Sequence, residues 1–245
     1  YFLAKKNEVL VSFISGFSML GVMIGVAALI VVTAVMNGFH IELSKNIIGL
    51  NSDIAISSPA RSISGYQEVL QKVHNFDFVK YANPLGRGQA LASGPRTSAG
   101  VVVKGINKED LEYKKQIVNN VIAGSLDSFS DKSNIAIGTE LAAVLGVSIG
   151  DSVKLISPSV ISTAFGSMPR AKDFKVSAIY SSGLYEFDSA VILVNLPTAL
   201  TFFSLPNPNL IEVYSIDPEN SRAFVALLHE ALPDLRISNW QATHA

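Results

Sequence analysis

Gly146-Val147-Ser148-Ile149-Gly150 spells the glycine-x-serine-x-glycine elbow that, in serine hydrolases, thrusts a nucleophile out of a strained strand-to-helix turn. That chemistry depends on the direction of travel, and the flanking residues run the opposite way. Glu140–Leu145 reads as a helix, opened by an acid that favours its dipole, and Val153–Ile156 reads as a strand. The two glycines therefore predict a helix stop and a tight turn. Glu186 and Asp188 lie two residues apart on a strand-like segment and share a face, but nothing in the sequence would raise a pKa there, and they read as a solvated turn. His40, His74, His229 and His244 are scattered, none with a second ligand at metal spacing. No phosphate-binding loop is present, and Gly86-Arg87-Gly88 lacks the third glycine of a dinucleotide fingerprint and reads as a loop. With no cysteine the chain has no disulfide, thiol nucleophile or thiolate metal site, and a net charge of −1 gives no electrostatic case for nucleic acid. The sequence predicts no catalytic residue, no bound cofactor and no metal.

The elements around these residues explain why. From Val9 through Phe39 the chain carries no formal charge, and sixteen of those positions are Val, Ile, Leu or Phe. Roughly 20 apolar residues suffice to cross a bilayer as a helix, so residues 1–40 are predicted to be an N-terminal flank and a transmembrane helix. The run is too long for the apolar part of a cleavable signal peptide. Gly21 and Gly25 form a GxxxG pair, which lets two membrane helices approach closely. Lys5 and Lys6 before the span, against His40, Glu42 and Lys45 after it, favour a cytoplasmic N-terminus and an external head.

Residues 41–245 read as an α+β domain of mostly antiparallel strands in two lobes. Residues 51–57 alternate as a half-buried strand, with Ile54 and Ile56 on one face. Ser64 to Gln67 has capping-box spacing before a stripe of Tyr66, Val69, Leu70 and Val73. Asn83-Pro84, Gly86, Gly88 and Gly94-Pro95 predict interruptions in the next extended region, and Val101–Val103 begins another strand. Lys104 to Asn120 is polar, with room for one short helix. Ile135–Ile137 is predicted as a strand, followed by a strand pair at Phe174–Tyr180 and Ala190–Val194, a helix opened by Leu196-Pro197, and a strand at Leu210–Ile216. Asp217-Pro218 then predicts a helix with an acidic N-cap whose apolar face is Ala223, Phe224, Leu227, Leu228 and Ala231.

The connection from Ile156 to Phe174 is longer than an ordinary hairpin loop of two to five residues. It carries Pro158, Ser159, Val160, Ile161, Phe165, Gly166, Met168, Pro169, Arg170 and Lys172. Apolar side chains in so long a link predict a protruding hairpin that docks a partner, with disorder as the alternative.

Several stretches resemble a known family. Ser12–Ser15, Gly25-Val26, Leu29–Val32 and above all Val35-Met36-Asn37-Gly38-Phe39 are similar to the first transmembrane segment of the LolC/LolE (LolF) family of lipoprotein-releasing permeases. Gly138–Ala142, Leu145–Val147, Gly150-Asp151 and Ser182–Asp188 look like that family's MacB-like periplasmic domain. The resemblance implies a four-span ABC-transporter permease in the bacterial inner membrane, its remaining spans beyond this chain, its head a Porter lobe with an inserted Sabre lobe at about residues 106–195. It implies three kinds of partner: a LolD-type ATPase that binds ATP and Mg, a second LolC/LolE-type subunit, and a LolA-type carrier that receives the lipoprotein substrate. It also implies that Pro158 to Lys172 is the carrier-binding hook and that Met36, Asn37, Gly38 and Phe39 couple the span to the head. Other readings are an efflux or cell-division permease of the MacB-like group, a membrane-anchored hydrolase using Ser148, or a single-pass adaptor.

Overall fold

Ile54 and Ile56 are both fully buried in strand β1 (Ile54–Ser57), as alternation predicts for a sheet with one face on a core. The computed structural model describes residues 16–36, 38, 50, 52–163 and 166–239. The chain forms two units, Tyr1–Lys45 and Asn46–Ala245. In the first, α1 (Gly16–Met36) is a 21-residue helix of mean hydropathy 2.6 with none of its apolar window buried. At about 1.5 Å per residue it is long enough for a hydrocarbon core about 30 Å thick. Gly21 and Gly25 lie one turn apart on it, with open space at both Cβ positions.

The second unit contains α2 (Tyr66–His74), β2 (Val79–Ser93), β3 (Ser98–Ile106), α3 (Lys108–Leu111), α4 (Lys115–Val118), β4 (Val121–Gly124), β5 (Asn134–Gly138) and α5 (Thr139–Leu145). It continues with β6 (Ser152–Thr163), β7 (Gly166–Tyr180), α6 (Tyr185–Ala190), β8 (Val191–Asn195), α7 (Leu196–Phe203), β9 (Leu210–Ser215), a 3-10 turn at Pro218–Asn220, α8 (Ser221–Ala231) and β10 (Arg236–Asn239). The strands run β10-β1-β9-β2-β3-β8-β5-β7-β4, with β6 against β2 and β7. Only the β3–β8 and β5–β7 ladders among the described residues are parallel. The predicted pair at 174–180 and 190–194 is therefore not a pair, because β5 lies between the two strands.

Three apolar clusters hold this unit. One joins β1, β9, α2 and α8 around Ile54, Ile56, Val73, Ile211 and Leu228. The other two lie on opposite faces of the larger set of strands. Along β8, Ile192 and Val194 face the cluster that includes α5 and α7, whereas Val191 and Leu193 face the one that includes α3, α4 and Phe187 of α6. A strand buried on both faces reads as a continuous apolar run, and Val191–Val194 does.

Four local expectations are corrected. β2 is not interrupted: Asn83, Pro84, Gly86 and Gly88 all lie within it. Its first half pairs with β9 as far as Leu85, and its second half pairs with β3 from Gly86. Pro84 is tolerated because that half has a strand neighbour on one side only among the described residues. The glycines mark close approach of α7. A Cβ at Gly88 would lie 2.5 Å from the Phe203 ring, and one at Gly105 would lie 2.2 Å from Ala199 Cβ. The capping box does not form, since Gly65 is the N-cap with a φ of 63° and makes no side-chain cap bond. Lys104 belongs to β3, and two short helices follow it rather than one. Asp217 and Pro218 open a 3-10 turn, as expected of a helix start, but Asp217 makes no side-chain cap bond and α8 itself starts at Ser221. Along α8, Phe224, Val225 and Leu228 face the core, whereas Ala223, Leu227 and Ala231 are exposed.

The packing of α7 predicts a contrast between two glycines of one strand. Gly105→Ala forces a methyl into Ala199 and lowers stability by about 1–3 kcal/mol, read from the shift in denaturant midpoint. Gly100→Ala, with nothing within 4 Å of the added Cβ, leaves the midpoint unchanged.

Candidate functional site

β6 and β7 form an antiparallel hairpin that extends from Ser152↔Lys175 to Thr163↔Gly166. The long link, expected to form a hairpin, is mostly strand. At its base, Lys154–Ile156 also pair with β2; beyond Ile156 the described ladder of β6 is with β7 alone. The register shifts between Ile156 and Val160, so Pro158 and Ser159 lie in an irregular stretch, a place where a strand accepts proline. Val160↔Pro169 and Ile161↔Met168 then continue the two-stranded ribbon, and Phe165 lies outside the described residues.

The charged residues of this segment are engaged at its base. The Arg170 guanidinium donates to the carbonyl of Thr201 and, at 3.5 Å, to that of Phe202. Arg61 donates to the Phe203 carbonyl at 3.5 Å. These carbonyls belong to the last turn of α7, where cations are favourable, and that of Thr201 also accepts the Ser204 N–H at 3.3 Å. Lys172 donates to the Lys132 carbonyl at 2.7 Å and lies 4.7 Å from the centre of the Phe174 ring. Its pKa is lowered by burial and by Lys132. Arg170 and Lys172 thus tie the ribbon to the body of the head. Pro158 and Pro169 are exposed and line an open groove of about 540 Å³ with Leu91, Gly100, Val102 and Ile156.

The other candidates are separate from one another. Ser148 is exposed in the turn between α5 and β6, its N–H donating to the Asp151 carboxylate at 2.8 Å. Gly146 ends the helix at φ 71° and Gly150 follows at φ 90°, so the turn is a helix stop. Glu186 is exposed, but Asp188 is not a solvated residue. It lies buried in α6, accepting the Ser182 N–H on both carboxylate oxygens at 2.9 and 3.0 Å. Among the described residues no His, Asp and Glu group could hold a metal. Gly38 is helical, whereas Asn37 and Phe39 lie outside the described residues.

One constellation has no counterpart in the sequence reading. Lys104 from β3, Lys114 from the link between α3 and α4, and Glu212 from β9 are buried together, with 5%, 3% and 2% exposure. Glu212 meets Lys114 at 2.9 Å and Lys104 at 3.4 Å. Lys114 also donates to the Leu50 carbonyl at 3.3 Å and to the Tyr214 hydroxyl at 2.6 Å, and that hydroxyl donates back to Glu212 at 3.2 Å. Lys104 lies 5.4 Å from the Phe187 ring centre and Lys114 lies 5.3 Å from that of Tyr214, within cation–π range. Burial lowers Lys104 to about 8, against the attraction of Glu212. For Glu212, burial acts upward, but the two ammonium groups outweigh it and hold the carboxyl at about 2. Nothing in the local sequence marks these lysines, because only the fold brings strands β3 and β9 to the same helix link.

Removing one member of a buried charged set leaves its partners unpaired, at a cost of about 3–5 kcal/mol. Glu212→Gln is expected to lose that much in denaturant unfolding. The sign of the acid dependence follows from the lowered pKa. The unfolded chain binds the Glu212 proton from about 4.5 downward and the folded one only near 2, so stability is lost as pH falls through that window. The Glu212→Gln protein lacks this part of the acid slope, which stability measured from pH 5 to pH 2 will show.

The MacB-like periplasmic core domain model matches residues 15–231. The LolC lipoprotein-releasing system transmembrane protein of Xylella fastidiosa is 32% identical over 197 residues, covering 80% of this chain and 48% of that one. LolC of Neisseria meningitidis is 29% identical over 93% of this chain and 55% of its own length. LolE of Haemophilus influenzae is 25% identical over 96% of this chain and 58% of its own. The chain spans about half the length of the curated relatives it matches. With a single apolar N-terminal helix of spanning length among the described residues, and similarity to LolC and LolE proteins over most of its length, the chain belongs to the MacB-like periplasmic core domain family.

Proposed function

We propose that this chain acts as a permease subunit of an ABC transporter that releases outer-membrane lipoproteins from the bacterial inner membrane to a periplasmic carrier. One observation carries the reading: in a chain similar to LolC and LolE proteins, the segment assigned by resemblance to carrier capture is a two-stranded ribbon with side-chain anchors at its base. Such a ribbon presents an edge and a tip to a partner, and the anchors fix its direction.

The N-terminus lies in the cytoplasm and the head in the periplasm. The inserted lobe of the head corresponds to about residues 106–195. A LolD-type ATPase on the cytoplasmic side binds ATP and Mg and supplies the work. A second LolC- or LolE-type subunit packs in the membrane against the Gly21 and Gly25 face, and Met36 to Phe39 passes the movement to the head. Pro158, Ser159, Val160, Ile161, Phe165, Gly166, Met168 and Pro169 contact the LolA-type carrier while Arg170 and Lys172 hold the ribbon in place. No step requires a reacting side chain in this chain; its part is to dock a partner and to move.

The test replaces residues 159–170 with a two-residue turn in the full chain, solubilised in detergent, and measures binding of a purified LolA-type carrier. Loss of a contact cluster worth about 2 kcal/mol or more weakens binding at least about thirtyfold. Unchanged binding would exclude the ribbon as the docking element.

A further inference from the structure

Strand polarity gathers several features at one end of the head. β1 begins at Ile54 opposite Val213 near the end of β9, and β10 ends at Asn239 opposite the same Ile54. Val79 and Tyr81, at the start of β2, face Ser215 and Tyr214. The start of β1 and the end of β10 therefore lie on neighbouring strands at a single end of the head. Lys114 holds Leu50 at that end too.

An open pocket of about 510 Å³ lies there, lined by Lys80, Tyr81, Tyr113, Lys115, Gln116 and Tyr214. Tyr81 and Tyr113 stack with ring centres 4.0 Å apart at 17°, and Tyr81 lies 6.0 Å from Tyr214. The floor is rigid, because the Tyr214 hydroxyl is bonded to Lys114 and Glu212 and the Tyr81 hydroxyl donates to Asp110. Both phenols are held neutral, their pKa values raised first by burial and then by those carboxylates. The rim is cationic: Lys80 and Lys115 are exposed, and neither forms an ion pair among the described residues. Lys80 acts electrostatically on Asp53, one of whose oxygens has no hydrogen-bond partner among the described residues. Asp110 accepts from Tyr81 and Asn107, and buried Asp53 accepts the Ser215 N–H. Tyr113 and Ile216, each 66% exposed, add an aromatic and an apolar side chain beside it.

We propose that this pocket seats the headgroup of an anionic phospholipid of the membrane that α1 crosses. Two exposed ammonium groups match a phosphate diester, and tyrosines favour the interface, where one end of the ring is apolar and the other wet. Exposed Tyr113 and Ile216 offer an aromatic and an apolar side chain that acyl chains would meet, and lysine stems reach past apolar surface to keep the charge at headgroup level. The site involves neither the β6–β7 ribbon nor carrier binding, so it stands or falls apart from the transport reading.

The experiment places the full chain in nanodiscs of phosphatidylcholine alone or with phosphatidylglycerol mixed in, and follows amide hydrogen exchange across residues 113–118 and 214–216. Each basic residue near an anionic surface contributes about fivefold in affinity, so the mixed discs slow exchange there by about twentyfold, and the double variant Lys80→Gln, Lys115→Gln abolishes the difference. Equal exchange in the two discs, or a lipid effect that survives in the double variant, would overturn the proposal. So would equal protection by soluble glycerol 3-phosphate in phosphatidylcholine discs, which would make this a site for free anions. Both lysines are exposed, and the wild-type comparison between lipids stands even if the variant is unstable.

Discussion

A strand that changes partners has to leave backbone groups without a neighbour at the point of change, and β2 does so between Leu85 and Gly86. The fold supplies a substitute. The Asn209 carboxamide accepts from the Arg87 N–H at 2.8 Å and donates to the Arg87 carbonyl at 2.7 Å, making the pair of bonds that a strand neighbour would make. On the face of the same strand, the absence of side chains at Gly86 and Gly88, together with Gly105 on β3, lets α7 lie directly on the backbone. Arg61 and Arg170 then bind the last carbonyls of that helix. The ribbon is thus attached, through Arg170 and α7, to the place where the two groups of strands meet.

The buried charges stand close by. Asn83 is opposite Glu212 in the β2–β9 ladder, on the half of β2 that precedes the change of partner. Two lysines and one glutamate leave a formal excess of one positive charge in a dry interior, an arrangement that an apolar core would avoid. The aromatic faces of Phe187 and Tyr214 and the Leu50 carbonyl supply the remaining negative potential. The outcome is directional as well as energetic. Glu212 on β9, Lys104 on β3 and Lys114 before α4 share one geometry, which also fixes the position of residue 50. Packing alone, in the three apolar clusters, would tolerate small slides between these elements; a bonded carboxylate does not.

Most elements were legible because their signals are local. Ile54 and Ile56 alternate, Leu196-Pro197 opens a helix, and Gly146 stops one, and each is where its residues predict. The failures arise where one residue type serves two physical purposes. Gly86 and Gly88 read as breaks because glycine bends chains, yet here glycine removes a Cβ from the path of a helix. Strand β7 conceals another case. Phe174, Val176, Ala178 and Tyr180 have one parity and would share a face, but Ser177 is an extra residue in the β5 ladder. The first two therefore enter one cluster and the last two the other. A bulge has no composition of its own, so alternation could not reveal it. The ribbon was legible in outline from the length of its link and its apolar content, whereas the anchoring roles of Arg170 and Lys172 depend on α7 and on the Lys132 carbonyl, both distant in sequence. Lys104 and Lys114 lie in a stretch that reads only as polar for the same reason: their carboxylate lies about a hundred residues away on another strand.

The adjacency of β1 and β10 has a mechanical consequence. Load applied to the chain before Ile54 and after Asn239 acts at the same end of one antiparallel pair. If the two attachment points are drawn apart, the load falls on the terminal hydrogen bonds in turn, and the edge strand β10 peels away as a zipper opens, at low force. If the two points move together, the pair carries the head as a rigid lever and its bonds are not stressed. Geometry therefore filters the motions this head can receive, passing concerted displacement and yielding to separation.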